Sequence, residues 1–282
     1  NTLLYQDVFL KIITEKQIAE KITGGTKILV VPGAVNIPEN VAKKIGEFAA
    51  EGGTVVIVPN SLMYDEYNRK KDYIKELAGV EILQMTLPRI KVGKEQADTR
   101  TRDDGFIQGA ISDMELQNVS KTRISTPGKG LFGGETPSFD GLGVVQKIKA
   151  GKDAEILGSF EDGSPAIVLN KKGKGKVYYL ATSLEKNSLW KFFDYLVKSE
   201  KLDRLIQIVD KNGKRINTVE SRTIPYGGGY LTYIVNLSGG DIAVKLDTKL
   251  PMKKVTELIS DETVNPADIN VKKSRTVILK VE

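Results

Sequence analysis

Neither His nor Cys occurs among the 282 residues, so chemistry would have to come from carboxylates, Lys, Tyr or Ser–Lys pairs. That removes disulfides, Cys/His zinc sites, thiol nucleophiles and imidazole acid–base catalysis. No cofactor and no metal site is expected. The polar cluster with the most chemical capacity is Tyr64-Asp65-Glu66-Tyr67-Asn68-Arg69. It follows an apolar run at 54–58 and a Pro59-Asn60-Ser61 turn, which puts it near the carboxyl edge of a buried strand, where α/β sheets place ligands. Asp65, Glu66 and Asn68 supply acceptors and Arg69 a guanidinium fork, a set suited to a substrate rim or a subunit interface. The more ordinary reading of the same residues is a loop that satisfies itself through an Arg–carboxylate pair. Glu135 with Asp140 is a second pair of acids, spaced like ordinary solvated loop carboxylates. Gly128-Lys129 and Gly175-Lys176 lack the following Ser/Thr and the upstream Gly of a phosphate-binding P-loop. No residue is assigned a catalytic role.

The patterning around that cluster predicts the elements that hold it. Residues 8–13 read as a short strand and 14–22 as a helix opened by a Thr14 cap. Residues 27–31 and 54–58 are compact β-branched runs of the kind buried on both faces of a parallel sheet. Between them Val41, Ile45, Phe48 and Ala49 make 38–50 an amphipathic helix, closed by Gly52-Gly53. A last helix over 73–78 ends at Gly79. Strand, helix, strand, helix at this spacing predicts βαβ units, an α/β fold with a parallel sheet and helices on both faces.

Residues 84–144 are rich in Thr, Arg, Asp, Gly and Lys and read as an insertion of short strands and loops. Thr126-Pro127-Gly128-Lys129-Gly130 and Phe132-Gly133-Gly134-Glu135-Thr136-Pro137 are turn chemistry. Strand patterns return at 155–160, and 165–170 and 176–181 form a hairpin around 171–175. Trp190, Phe193, Leu196 and Val197 make one face of a helix over 189–197 that packs on the sheet. From 205 onward, short alternating runs at 205–209, 222–224, 230–236, 242–246, 255–257 and 276–281, parted by turn clusters, predict a small antiparallel β-sandwich. Two domains are expected, an α/β domain over 1–200 with 84–144 inserted and a β-sandwich over 201–282.

Hydrophobic residues at 40% and charged residues at 28% are ordinary globular composition. The 42 basic and 36 acidic residues give a formal +6, but they are interspersed rather than clustered with aromatics, so no nucleic-acid partner is expected. Lys171-Lys172-Gly173-Lys174-Gly175-Lys176 reads as a solvated turn. No apolar run nears the roughly 18–20 residues of a membrane helix, and no membrane partner is expected. Asn-x-Ser sequons stand at Asn118 and Asn236. The chain opens on Asn rather than Met, which suggests a piece of a longer polypeptide. Localisation stays open, with the cytoplasm slightly favoured.

Several segments together resemble a known family. Ile28-Leu29-Val30-Val31-Pro32-Gly33-Ala34, the helix ending Glu47-Phe48, Glu51-Gly52-Gly53-Thr54-Val55-Val56 and the loop Asp65-Glu66-Tyr67-Asn68-Arg69 resemble the trimerisation domain of family 42 glycoside hydrolases, the β-galactosidases. Ser164-Pro165-Ala166-Ile167-Val168-Leu169-Asn170 and Gly173-Lys174-Gly175-Lys176-Val177-Tyr178-Tyr179-Leu180 are similar to that domain's closing hairpin. Tyr233-Ile234-Val235-Asn236-Leu237-Ser238 looks like the small C-terminal β-domain of the same enzymes. The resemblance covers about 1–83, 145–200 and 225–282, and leaves 84–144 unmatched. It implies a flavodoxin-like or class I glutamine amidotransferase-like sheet without amidotransferase chemistry. By the same resemblance the partners are a catalytic (β/α)8 barrel of the same enzyme and further copies of the chain, as a trimer. The Asn-Glu dipeptide of the family's catalytic acid does not occur here.

The first reading is therefore a non-catalytic accessory and oligomerisation region of a glycoside hydrolase. A carbohydrate-binding module is an alternative, with Tyr226 and Tyr230 beside Gly227-Gly228-Gly229 as stacking platforms. A third is an independent glycosidase that uses carboxylates of the 84–150 stretch.

Overall fold

The computed structural model describes residues 6–22, 24–86, 121–126 and 138–282, in two compact units. One is residues 14–185; the other joins residues 6–13 to 186–282. The first sequon at 118–120 and the turn motifs at 127–130 and 132–137, with Glu135, lie outside the described residues.

In the first unit α1 (Glu15–Glu20) opens on a reciprocal cap: the Gln17 amide donates to the Thr14 hydroxyl at 3.3 Å and the Thr14 amide to Gln17 Oε1 at 2.8 Å. Strand β1 (Ile28–Val31) leads through α2 (Glu39–Ala50), whose buried stripe is Val41, Ala42, Ile45 and Ala49, to β2 (Thr54–Ile57). The two strands run parallel, Ile28 opposite Thr54 and Val31 opposite Ile57. Helix α3 (Tyr73–Ala78) ends at Gly79, which takes the left-handed conformation at φ 65°.

Strand β3 (Val80–Thr86) follows, then β4 (Lys121–Ser125), β5 (Ser138–Ala150), β6 (Ala154–Phe160), the hairpin β7 (Pro165–Lys172) and β8 (Gly175–Leu180), and β9 (Thr182–Leu184). All nine strands share one mixed sheet in the order β1-β2-β8-β7-β6-β4-β5-β3, with β9 also on β5. Only β1-β2-β8 is parallel; the remaining pairings are antiparallel. The described parts of 84–144 are thus strands of the main sheet rather than an appendage. Their apolar signal is diluted because β5 buries Gln146 and Gly141 beside Phe139 and Ile148. Gln146 is satisfied inside, accepting from the Tyr179 hydroxyl and donating to Met85 Sδ at 3.7 Å.

The β7–β8 tip sits against the end of α2. The Lys174 amide donates to Ala50 O at 2.9 Å and the Lys176 amide to Gly53 O at 3.1 Å, so the hairpin supplies donors that a helix C-terminus lacks.

In the second unit residues 8–13 carry no strand; Phe9 and Ile12 are 81% and 91% exposed, with neither a ladder partner nor a buried face. Helix α4 (Lys186–Ser199) buries Phe192, Phe193, Leu196 and Val197. Trp190 is only half-buried, with the Arg215 guanidinium 5.1 Å from its ring centroid. Beyond it lie β10 (Gln207–Val209), β11 (Val219–Tyr226), β12 (Gly229–Asn236), β13 (Ile242–Asp247), β14 (Val255–Glu257), β15 (Glu262–Thr263), β16 (Ile269–Val271) and β17 (Thr276–Val281). They form a sheet β10-β13-β16 and a sheet β11-β12-β17-β14-β15, all antiparallel. Ile208, Leu246 and Val271 from one sheet share a core with Ile234, Leu279 and Val281 from the other, as the alternation predicts. Asn236, the second sequon, is fully buried, and its amide donates to Gly240 O and Val271 O at 2.9 and 2.8 Å; it is a turn anchor, closed to glycosylation in the folded chain.

A buried charge cluster explains why residues 6 and 7 belong to this unit. Arg215 Nη2 donates to Asp7 Oδ2 at 2.9 Å and its Nη1 to Asp194, while Ser221 donates to Asp7 Oδ1. Arg204 joins Asp194 at 2.8 Å and the side chain and carbonyl of Gln6 at 3.0 and 2.9 Å. Burial pushes the Asp7 carboxyl above the usual carboxylate range against the pull of Arg215 and Ser221. For Asp194, burial is outweighed by Lys198, Arg204 and Arg215, and its carboxyl is held low.

Two substitutions test these contacts. A Cβ at Gly175 would meet the carbonyl oxygens of Ala49 and Gly53 at 2.2 Å, whereas at Gly239 it meets nothing within 4 Å. Gly175→Ala is therefore expected to lose about 1–3 kcal/mol in urea unfolding and Gly239→Ala less than about 0.5. Arg215→Met leaves Asp7 and Asp194 short of their shared cation and is expected to cost about 3–5 kcal/mol.

Candidate functional site

The loop expected to carry function lies past the carboxyl end of β2, and its backbone is built by side chains. Ser61 donates to Val31 O at 2.9 Å and accepts from the Gly33 amide at 3.0 Å, tying the turns after β1 and β2 together. Leu62 is fully buried at φ 59°, a conformation unusual for a branched residue. Its amide donates to Ala34 O at 2.7 Å, which helps hold it there.

Asp65 is 1% exposed and faces inward. Its Oδ1 accepts from the amides of Tyr67 and Arg69 at 3.0 and 2.9 Å, and its Oδ2 from Arg69 Nε at 2.7 Å, with Lys71 Nζ at 3.7 Å. Asn68 takes φ 59° to close the turn, and Asn36 Nδ2 reaches across to Asp65 O at 3.0 Å and Asn68 Oδ1 at 3.3 Å. Burial raises the Asp65 carboxyl, but the hydrogen bonds from Arg69 and Tyr67 outweigh it and hold the group below the usual carboxylate range.

Of the four residues proposed from sequence, Asp65 and Asn68 are therefore used within the loop, while Glu66 and Arg69 are on the surface. Tyr67, which sequence reasoning left out, is 71% exposed at the tip, with the Arg69 guanidinium 4.9 Å from its ring centroid. The signal for it was present in the Asx-turn spacing, since a carboxylate that caps the amides two and four residues on turns the intervening side chains outward.

Of the remaining candidates, Asp140 stands on β5 in the sheet. Tyr226 is 56% exposed at the Gly227-Gly228 turn, whereas Tyr230 packs partly against the sandwich core, so the two do not form a common open platform. Among the described residues no group of three or more carboxylates could hold a metal ion, and no helix is long and apolar enough to cross a membrane.

Residues 119–203 match the family model described as the β-galactosidase trimerisation domain, so part of the stretch 84–144, expected to be unmatched, falls inside it. No curated protein matches the chain. Among solved structures, a β-galactosidase from Bacillus circulans sp. alkalophilus superposes with a TM-score of 0.72 at 16% identity, over 100% of this chain and 36% of that one. A family 42 β-galactosidase from G. stearothermophilus gives 0.72 at 18%, over 99% and 35%. A cold-adapted β-galactosidase from Rahnella sp. R3 gives 0.72 at 17%, over 99% and 35%. The chain thus spans about a third of the length of these enzymes.

The lowered Asp65 carboxyl makes the loop acid-sensitive. Because its folded carboxyl lies below the ordinary value of about 3.9, the order it confers is complete above that value and lost as pH falls through the lower one. Asp65→Asn should speed hydrogen exchange of the Tyr67 and Arg69 amides at neutral pH, while Glu66→Gln leaves them unchanged. Equal exchange in the Asp65 variant would refute the inward role. Residues 119–203 thus match the β-galactosidase trimerisation domain, within a chain whose fold is that of about a third of a family 42 β-galactosidase.

Proposed function

We propose that the chain acts as the accessory and oligomerisation region of a glycoside hydrolase of the β-galactosidase type, binding copies of itself and docking on a catalytic (β/α)8 barrel of the same enzyme. The observation that carries this reading is the trimerisation-domain match over 119–203, within a chain that superposes on about a third of several β-galactosidases. The chemistry agrees with it. A retaining glycosidase needs two carboxyls about 5–5.5 Å apart, one of them with a raised pKa. Asp65, the buried acid of the candidate loop, is instead held ionised by its own backbone and Arg69.

The work done by such a region is mechanical. A stable subunit contact buries at least about 1,000 Å² with good complementarity, and the contact holds neighbouring barrels in a fixed relation. Sedimentation equilibrium of the purified chain is expected to show a trimer in exchange with monomer. The chain alone is expected to leave an aryl β-galactoside intact. Turnover of that glycoside would replace this reading with the carboxylate-glycosidase one, and a monomer at every concentration would remove its oligomerisation half.

A further inference from the structure

The unit over 14–185 carries two exposed features that match each other and lie in opposite halves of one sheet. The first is the knuckle after β2. Tyr67 projects from a turn locked by buried Asp65, stacked under the guanidinium of Arg69, with Glu66 beside them. Tyr and Arg are the residues that dominate protein contacts, and a ring held in place before binding loses little entropy when it docks. The second is a concavity of about 340 Å³ among β3, β4, β5 and β6, large enough for an aromatic side chain. Buried Phe160 and Gln146 lie at its floor, half-buried Thr122 and Val145 line it, and exposed Glu161, Asp162 and Lys147 stand around it. Asp162 is fixed there, accepting from the Ser164 amide at 2.9 Å and the Ser164 hydroxyl at 2.5 Å.

Size and charge correspond. The knuckle offers an aromatic ring, one cation and one anion. The concavity offers a hollow of that size over buried Phe160, with two anions and one cation around it. In the sheet order β1-β2-β8-β7-β6-β4-β5-β3, the knuckle belongs to the β1-β2 end and the concavity to the β6-β4-β5-β3 end. The knuckle and the hollow are separate patches, so one copy can offer its knuckle to one neighbour and its hollow to another. Two different patches on one subunit join copies head to tail, and such contacts close into a ring at a rotation of a third of a turn.

We propose that Tyr67 of one copy seats in the Phe160–Gln146 hollow of the next, with Arg69 against Glu161 and Asp162 and Glu66 against Lys147. This rests on the homo-oligomer reading above and deepens it by naming the two faces. Asp65 and Asn68 are then positioning residues, and Tyr67 is the anchor.

Sedimentation equilibrium of the full chain tests it with Tyr67→Ala, Glu66→Lys, Lys147→Glu and the double variant Glu66→Lys/Lys147→Glu. Tyr67→Ala keeps the amide that Asp65 caps, so a loss of association there reports the missing ring rather than a collapsed loop. Far-UV circular dichroism and the urea midpoint confirm that each variant is folded. The expected result is that each single variant weakens association by about 30-fold or more, as truncation of an interface hot spot does. The double variant is expected to regain most of the loss caused by either charge reversal. Wild-type association with unchanged constants in all single variants overturns the knob and hollow while leaving the homo-oligomer reading in place. Weakened singles with no recovery in the double variant overturn the pairing of Glu66 with Lys147. A wild-type chain that stays monomeric overturns both readings together.

Discussion

The close approach of Gly175 to the end of α2 is the constraint around which the mixed sheet is arranged. With no side chain there, the β7–β8 tip lies within hydrogen-bond reach of Ala50 O and Gly53 O, and β8 enters beside β2 in register, Thr54 opposite Lys176 and Ile57 opposite Tyr179. That one insertion makes β2 a central strand, buried along its whole length. It also joins a short parallel half, encoded by residues 28–57, to an antiparallel half encoded after residue 80. A strand edge left open at β2 would have been a template for the wrong partner; here the chain covers it with its own hairpin.

The unit over 6–13 and 186–282 solves a different problem by a similar device. A sandwich of short strands has few apolar residues to spare, and the segment leading into it has no strand of its own. Two arginines and two aspartates fasten that segment instead, Asp7 through Arg215 and Gln6 through Arg204, with Asp194 of α4 between the cations. Such a cluster is costly to bury and costlier to break, so it specifies where residues 6 and 7 go more than it adds net stability.

The elements whose identity rests on local periodicity were legible in the sequence: α2 from Val41, Ile45 and Ala49, the β7–β8 hairpin from its Gly-containing loop, and the sandwich from its alternation. What escaped has a common cause. Residues 8–13 have strand composition but no ladder partner, and β5 has a partner but a polar and glycine-rich pattern, because Gln146 and Gly141 meet Tyr179 and Thr182 across the sheet. Long-range pairing decided both cases, and a single sequence does not display it. The same holds for the ions around Arg215, whose partners are 21 and 208 residues away. The candidate loop was placed on topological grounds, and its reading as a loop satisfied by an Arg–carboxylate pair matches Asp65 and Arg69. The sequence did not display that Asp65 turns in and Tyr67 turns out.

That inversion bears on what the loop can do. The carboxyl edge of parallel strands is where α/β proteins gather polar groups toward a ligand, because amides and side chains there are not claimed by the sheet. Here Asp65 is claimed in full by the amides of Tyr67 and Arg69 and by the Arg69 side chain, and Asn68 by Asn36. A carboxylate so committed has lost the freedom to take up or give away a proton near neutrality, but it fixes the backbone on which Tyr67 and Arg69 are displayed. Rigidity of this kind serves recognition between surfaces, where a preset aromatic anchor docks without first being ordered. At the sheet position where α/β proteins gather ligand-binding groups, Asp65 and Asn68 are instead committed to holding their own loop.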